Sequence, residues 1–420
     1  MILFSHPIGN ENVREALVAF DRAGMLSEFW TTISWNPKST VNRMLPPSVR
    51  ELFSRRSFPE SVRSRTHTAP IREALRLFAA GAGFSSRHET GSLSIDAVFR
   101  ELDEKVAQRL RKIDPPSSRK SRDHGAASNV RAVYAYEDGA LQSFRAAGDR
   151  NFQRIYDLPI GYWKVGQRIF AEEADREPEW ASTLTGTLDS AAKLARKDDE
   201  LRLATRVIVA STFTKQTLTE SPCTAKIDIV AYGAPPAVSR EIAKSSGQLK
   251  VLFAGSLGQR KGLSYLLKAI ELLKGEVELT LLGRKVAAGC APLESAVRTH
   301  RWLPSLSHGA VLREMRDHDV LVLPSLFEGF GLVILEAMAQ GTPVITTNHT
   351  AGPDVIEDRV DGFIVPIRSA EAIVEKLDLL ARDRERLMSM KSAAQRKAES
   401  FRWESYRDGL VTVAREVMES

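Results

Sequence analysis

The sequence predicts an α/β protein built from two Rossmann-like parallel-sheet domains. Short β-branched runs alternate along the chain with longer helical ones, the pattern of parallel strands joined by crossover helices. The alternation pauses at Tyr232-Gly-Ala-Pro-Pro and Ser245-Ser-Gly247, which have turn chemistry, and restarts at Lys250. A chain of 420 residues also exceeds what one hydrophobic core organises. The parse is a first domain over residues 1–235, a second over 248–395, and a carboxy-terminal helix over 396–420 that packs back toward the first.

Met1-Ile-Leu-Phe-Ser5 reads as the opening strand, and Asn12 to Ala23 as a helix stopped by Gly24. Over 94–113, Ile95, Val98, Phe99, Leu102, Val106, Leu110 and Ile113 share one helical face, with Ser94 as cap. Arg131–Tyr136, Phe152–Tyr156 and Arg206–Ala210 read as further strands of the first sheet. Lys250–Ala254, Glu278–Leu282, Val320–Leu323 and Val344–Thr347 read as strands of the second. Pro115–Arg122 reads as an exposed loop, and Gly81-Ala-Gly83-Phe84 lacks the third glycine of a nicotinamide-binding turn.

Composition narrows the function. Hydrophobic residues make up 43% and charged residues 27%, so disorder, collagen repeats and coiled coil are set aside. Two cysteines, Cys223 and Cys290, cannot form a disulfide framework and point to a reducing compartment. No apolar run reaches membrane-spanning length, and no basic leader precedes a long apolar stretch, so a cytoplasmic protein is expected. The net charge of +6 sits wholly in the first half, where residues 1–240 hold 35 basic and 29 acidic side chains. Its basic helical segment, 38–131, includes Arg50, Arg55, Arg56, Arg63 and Arg65 beside Leu52, Phe53 and Phe58. This combination is expected to face the anionic inner surface of a membrane. Nucleic acid is not expected, because no aromatic-interleaved basic motif accompanies the charge. The eight histidines show no paired zinc spacing, and Asp317-His-Asp319 precedes its strand, so no metal site is expected.

The informative stretch is 320–366. A buried strand enters the turn Ser325-Leu-Phe-Glu-Gly-Phe-Gly331, a helix runs from about Leu332 to Gln340, and Gly341-Thr-Pro343 ends it. Turns at the carboxyl ends of parallel strands are where α/β proteins bind ligands. The neighbours of Glu336 are apolar nearly all round, so its carboxylate is expected to be buried, either paired structurally or bonded to a ligand diol. Glu328 reads as a solvated loop carboxylate or a ligand contact.

Glu328-Gly-Phe-Gly-Leu-Val-Ile-Leu-Glu336 resembles the E-x7-E signature of retaining glycosyltransferases of the GT-B fold, family 4. Val251–Gly262 is similar to that family's strand and phosphate loop. Leu281-Leu-Gly283, Pro324-Ser325, Glu336–Val344 and Asp361–Pro366 follow in the family's order. The resemblance covers most of 200–370. It implies two domains facing a cleft and a nucleotide-sugar donor, which is a substrate; no cofactor is implied.

By the same resemblance, Glu328 contacts the donor sugar's hydroxyls, and Gly329, Phe330, Gly331 and Leu332 present backbone amides. Glu336 takes the ribose hydroxyls. Lys261 and Arg260, in the loop that begins at Gly255 and Ser256, neutralise the diphosphate as it leaves and make a catalytic metal unnecessary. Being adjacent, the two are expected to point apart, with Lys261 as the direct contact. His6 and Gly9 are the first domain's candidates near the donor and acceptor.

Ser256 stands where family members often carry arginine, and no histidine lies between 125 and 299 to serve the first domain. The implied function is sugar transfer to a glycan or lipid-linked acceptor in cell-surface polysaccharide or glycolipid synthesis. A degenerate relative that binds sugar nucleotide without turnover and a nonhydrolysing sugar-nucleotide epimerase are the alternatives.

Overall fold

A computed structural model describes residues 1–44, 50, 53, 56–81, 89–114, 130–237 and 247–419. Two parallel sheets organise it, as the alternating pattern predicts. The first contains β1 (Ile2–Ser5), β2 (Leu26–Thr31), β3 (Thr66–Thr68), β4 (Ala132–Tyr136), β5 (Gln153–Leu158), β6 (Arg206–Val209) and β7 (Lys226–Ile229), in the order β3-β2-β1-β4-β5-β6-β7. The second contains β8 (Leu249–Ala254), β9 (Val277–Leu282), β10 (Arg301–Leu303), β11 (Val320–Leu323), β12 (Val344–Thr347) and β13 (Gly362–Val365), in the order β10-β9-β8-β11-β12-β13. Strand order reverses between β1 and β4 in one sheet and between β8 and β11 in the other. Parallel sheets open a crevice at such points, and here the two crevices face each other.

The central strands are buried on both faces, so they read as unbroken apolar runs: β1, β4, β11 and β12 have no exposed residue. β2, β3, β7, β10 and β13 are not legible as strands in the sequence. β3 and β10 are three-residue edges, and β7 is an edge reading Lys-Ile-Asp-Ile. β2 reads Leu-Ser-Glu-Phe-Trp-Thr, its apolar run broken by Ser27 and Glu28. The Ile95–Leu110 helix starts as expected, with Ser94 Oγ accepting from Ala97 N at 3.1 Å.

The arginine cluster expected to face a membrane is not one surface. Arg56 is buried on Glu73, Arg65 pairs with Asp21, and exposed Arg63 lies 3.7 Å from Glu60. Phe58 packs on Phe29, and Phe53 stacks on Trp35. The domain's own carboxylates draw two of the cations inward. Leu52, Arg55 and the Pro115–Arg122 loop lie outside the described residues.

The chain crosses between domains twice. It passes forward after β7 and returns through the Trp403–Glu419 helix, which lies on the Glu11–Arg22 helix of the first domain. Arg206 and Lys226 hold Glu416 at 3.2 and 3.0 Å, and Arg407 pairs with Glu15. Where the two crossings pass, Ala234 N donates to Phe401 O at 2.6 Å.

Candidate active site

Facing strand ends enclose a cavity of about 580 Å³, walled by both domains. Its second-domain wall begins where β8 ends. The chain runs through Gly255 and Ser256 into a 3-10 turn, Gln259–Lys261, closed by Gly262 at φ +68°. A β-carbon at Gly262 would lie 2.0 Å from Pro324 O, so only glycine lets this loop lie against the end of β11. Leu326 N donates to Arg260 O at 2.9 Å and ties the two loops together.

That turn brings Arg260 and Lys261 to the same carboxylate. Lys261 Nζ pairs with Glu328 Oε2, and Arg260 Nη1 reaches the same oxygen at 3.1 Å and Phe327 O at 3.0 Å. The expectation that the neighbours point apart is thus corrected, because a 3-10 turn does not alternate side chains as an extended strand does. Glu328 is largely covered, its side chain 13% exposed, instead of solvated. Burial alone would push its carboxyl up, but the Lys261 and Arg260 charges outweigh this and hold it at about 2. Burial lowers the Lys261 ammonium, and Glu328 partly offsets that.

Gly329 does not line the cavity. Its carbonyl accepts from Thr214 Oγ1 at 3.0 Å and from Ser211 Oγ, and a β-carbon there would lie 1.8 Å from Pro159 O. The first domain therefore grips this residue by its carbonyl. Phe330, Gly331 and Leu332 do line the cavity, with Phe330 also packed on Tyr232 at 5.0 Å.

The Val333–Ala339 helix is buried, as the sequence indicates, yet Glu336 occupies its cavity side and is only partly covered. Its carboxylate meets His308 Nε2 at 3.1 Å. This hydrogen bond raises the His308 pKa, with burial opposing it. Sequence reasoning missed His308, which no local motif flags at 28 residues' separation.

On the first-domain wall, His6 sits at the end of β1, edge-on to Tyr136 with ring centroids 4.6 Å apart. Its Nδ1 accepts from Ile8 N at 3.0 Å, and burial pushes its pKa down to about 3, so the ring is neutral with its proton on Nε2. Gly9 is not a lining residue; its carbonyl accepts from Arg14 at 2.9 Å. Glu137 and Asp138, just past β4, do line the cavity. The sequence signal for them was an acid pair at the carboxyl end of a strand. Asp317 ends a helix as read, and Asp319 is buried on Lys391 at 2.8 Å. Among the described residues, no group of three or more metal-ligating side chains is gathered.

These loops can therefore hold an anion on one wall and hydroxyl groups on both. Residues 236–397 match the family model of glycosyl transferases group 1. A D-inositol 3-phosphate glycosyltransferase from an Arthrobacter species is 31% identical over 50% of this chain and 56% of its own length. The chain spans 28 to 56% of the length of the first curated relatives it matches.

Solved structures align over nearly the whole chain. A sucrose-phosphate synthase from Thermosynechococcus elongatus superposes with a TM-score of 0.66 at 17% identity, covering 100% of this chain and 99% of that one. Anabaena HepE in complex with UDP superposes at 0.63 and 15% identity, covering 99% of each. The fold is GT-B.

Proposed function

We propose that the chain is a retaining glycosyltransferase that moves a sugar from a nucleotide-sugar donor to a glycan or lipid-linked acceptor. The observation that carries this is the meeting of Arg260, Lys261 and Glu328 at the switch point of the second sheet. The donor diphosphate takes Arg260 and Lys261, whose charges stabilise it as the glycosidic bond breaks. Glu328, ionised at any physiological pH, accepts hydrogen bonds from the sugar hydroxyls. Glu336, already bonded to His308, accepts from the ribose diol.

The acceptor oxygen bonds to the anomeric carbon on the face the diphosphate leaves, and its proton passes to a leaving-phosphate oxygen. The two cations take the place a metal would fill, so turnover needs none. The amylovoran glycosyltransferase of Erwinia amylovora, 29% identical over 36% of this chain, supports a place in cell-surface polysaccharide or glycolipid synthesis.

Thermal shift with UDP, GDP and ADP, followed by release of free nucleotide from the matching nucleotide-glucose, tests the reading. Stabilisation without release would identify a non-turning binder instead, and an inverted anomeric proton signal in the product would overturn retention.

Peripheral contact with an anionic inner-membrane face is the second part of the proposal. It falls to the Pro70–Gly81 helix, where Ile71, Leu75 and Phe78 are 68, 52 and 77% exposed at helical spacing. No described helix is long and apolar enough to cross a membrane. Sedimentation with phosphatidylglycerol vesicles at low salt decides it; protein left in the supernatant overturns it.

A further inference from the structure

The two walls of the cleft differ in charge. Among the described residues, both cations lining the cavity, Arg260 and Lys261, belong to the second domain. The polar lining of the first domain is His6, Asn10, Asn12, Tyr136, Glu137, Asp138 and Tyr232, and His6 is neutral.

Cations do lie behind this wall, but they face its carboxylates. Lys197 Nζ is 3.5 Å from Glu137 and 3.3 Å from Asp189. Lys193 is 3.5 Å from Asp138 and 2.9 Å from Asp189, and Arg196 lies 3.3 Å from Asp138 and also meets Asp96. Arg14 is turned to Gly9 O and Glu11. Glu200 completes the group by accepting from the backbone amides of Asp138 and Ala140 at 3.0 and 3.1 Å. Arg100 also meets Asp96 at 2.8 Å, so Lys193, Arg196, Lys197 and Arg100 are each already held by at least one acid side chain of the Asp96, Glu137, Asp138, Asp189 and Glu200 group. Burial pushes Glu137 up to about 7, with Lys197 opposing, and pushes Glu200 up to about 8.

We propose that the acceptor ring held against this wall is a neutral polyhydroxyl unit, a sugar or cyclitol carrying no phosphate, with Glu137 as its hydroxyl-binding side chain. This rests on the glycosyltransferase reading and deepens it. The donor diphosphate engages Arg260 and Lys261 while the acceptor is bound, so among the described residues a second phosphate would meet acid side chains whose cations are already paired. Removing that phosphate from water without a cation to receive it is costly. Hydroxyls instead find the Glu137 carboxyl and the side-chain amides of Asn10 and Asn12 in the same wall, and the exposed Asn10 adds no charge.

The test uses the full chain saturated with whichever nucleotide-glucose stabilises it. Nucleotide release is followed with glucose, octyl glucoside or myo-inositol, and with glucose 6-phosphate or myo-inositol 3-phosphate. At least one neutral compound should raise release about tenfold over the water rate, and its phosphorylated counterpart less than about twofold. Equal or greater stimulation by the phosphorylated compound overturns the proposal, as does a panel in which no neutral compound stimulates. Asn10→Arg, at an exposed position outside the buried cluster, should raise kcat/KM for the phosphorylated compound about tenfold, the 1.4 kcal/mol of one charge-assisted contact. No gain would count against this wall as the acceptor site. A chain that no nucleotide stabilises fails at the donor step, which brings down the glycosyltransferase reading and this proposal with it.

Discussion

Glu328 and Glu137 face one cavity from opposite domains, with side chains 13 and 10% exposed, yet one is held at about 2 and the other at about 7. Burial pushes both upward. Their neighbours decide the difference: two cations converge on Glu328, while Lys197 must serve Glu137, Asp138 and Asp189 together. Equal burial therefore produces a permanent anion in one wall and a carboxyl that titrates near neutrality in the other. On the proposed reading, the second-domain wall receives the donor's negative charge and the first-domain wall the acceptor's hydroxyls.

The largest expected effect comes from removing one cation. Lys261→Ala should cost on the order of 2–4 kcal/mol of transition-state stabilisation in donor turnover, as for other preorganised charge donors. A loss below about threefold would put the phosphate clamp elsewhere. Next, Glu328→Gln should lower transfer by about a hundredfold while free UDP binds nearly as before. Glu336→Ala should instead weaken UDP itself by about 1–3 kcal/mol, measurable by calorimetry. The same UDP affinity in both variants would erase the distinction between sugar and ribose contacts.

A smaller effect should appear in stability against pH. Glu137 and Glu200 have folded pKa values above those of the unfolded chain, so their contribution is complete below about pH 4. It is then lost as pH rises through about 7 and about 8. Tm should fall by a few °C, on the order of 1 kcal/mol, between pH 6 and 9, and Glu137→Gln should flatten that fall. Glu328 has the opposite sign, since its contribution is present above about pH 4 and disappears toward about 2. A flat wild-type Tm across pH 6 to 9 would break the comparison. The smallest expected change is none: excess EDTA should leave turnover intact, and a loss restored by manganese would require a metal the two cations do not replace.

Much of this was legible along the chain. Both parallel sheets, the Val333–Ala339 helix and the gathering of Arg260, Lys261, Glu328 and Glu336 near one loop pair follow from sequence. What sequence does not carry is direction and distance. A 3-10 turn, which no motif announces, turned Arg260 toward Glu328. The seating of Gly329 against Pro159, remote in the chain, has no local signal, and His308 and Glu137 were missed because only folding brings the one to Glu336 and the other to this cavity. Two of the arginines read as membrane-facing, Arg56 and Arg65, are instead paired with Glu73 and Asp21, partners that composition cannot reveal.

The doubled crossing between domains has a mechanical consequence. A single flexible linker would allow the domains to swivel as well as open. Here two passes of backbone run side by side, joined by the Ala234–Phe401 hydrogen bond, like a door hung on two pins. Twisting one domain against the other would shear that bond, whereas bending about the line through the pins leaves it whole. Such a joint favours bending that parts the two walls over twisting that would offset Glu137 from Glu328.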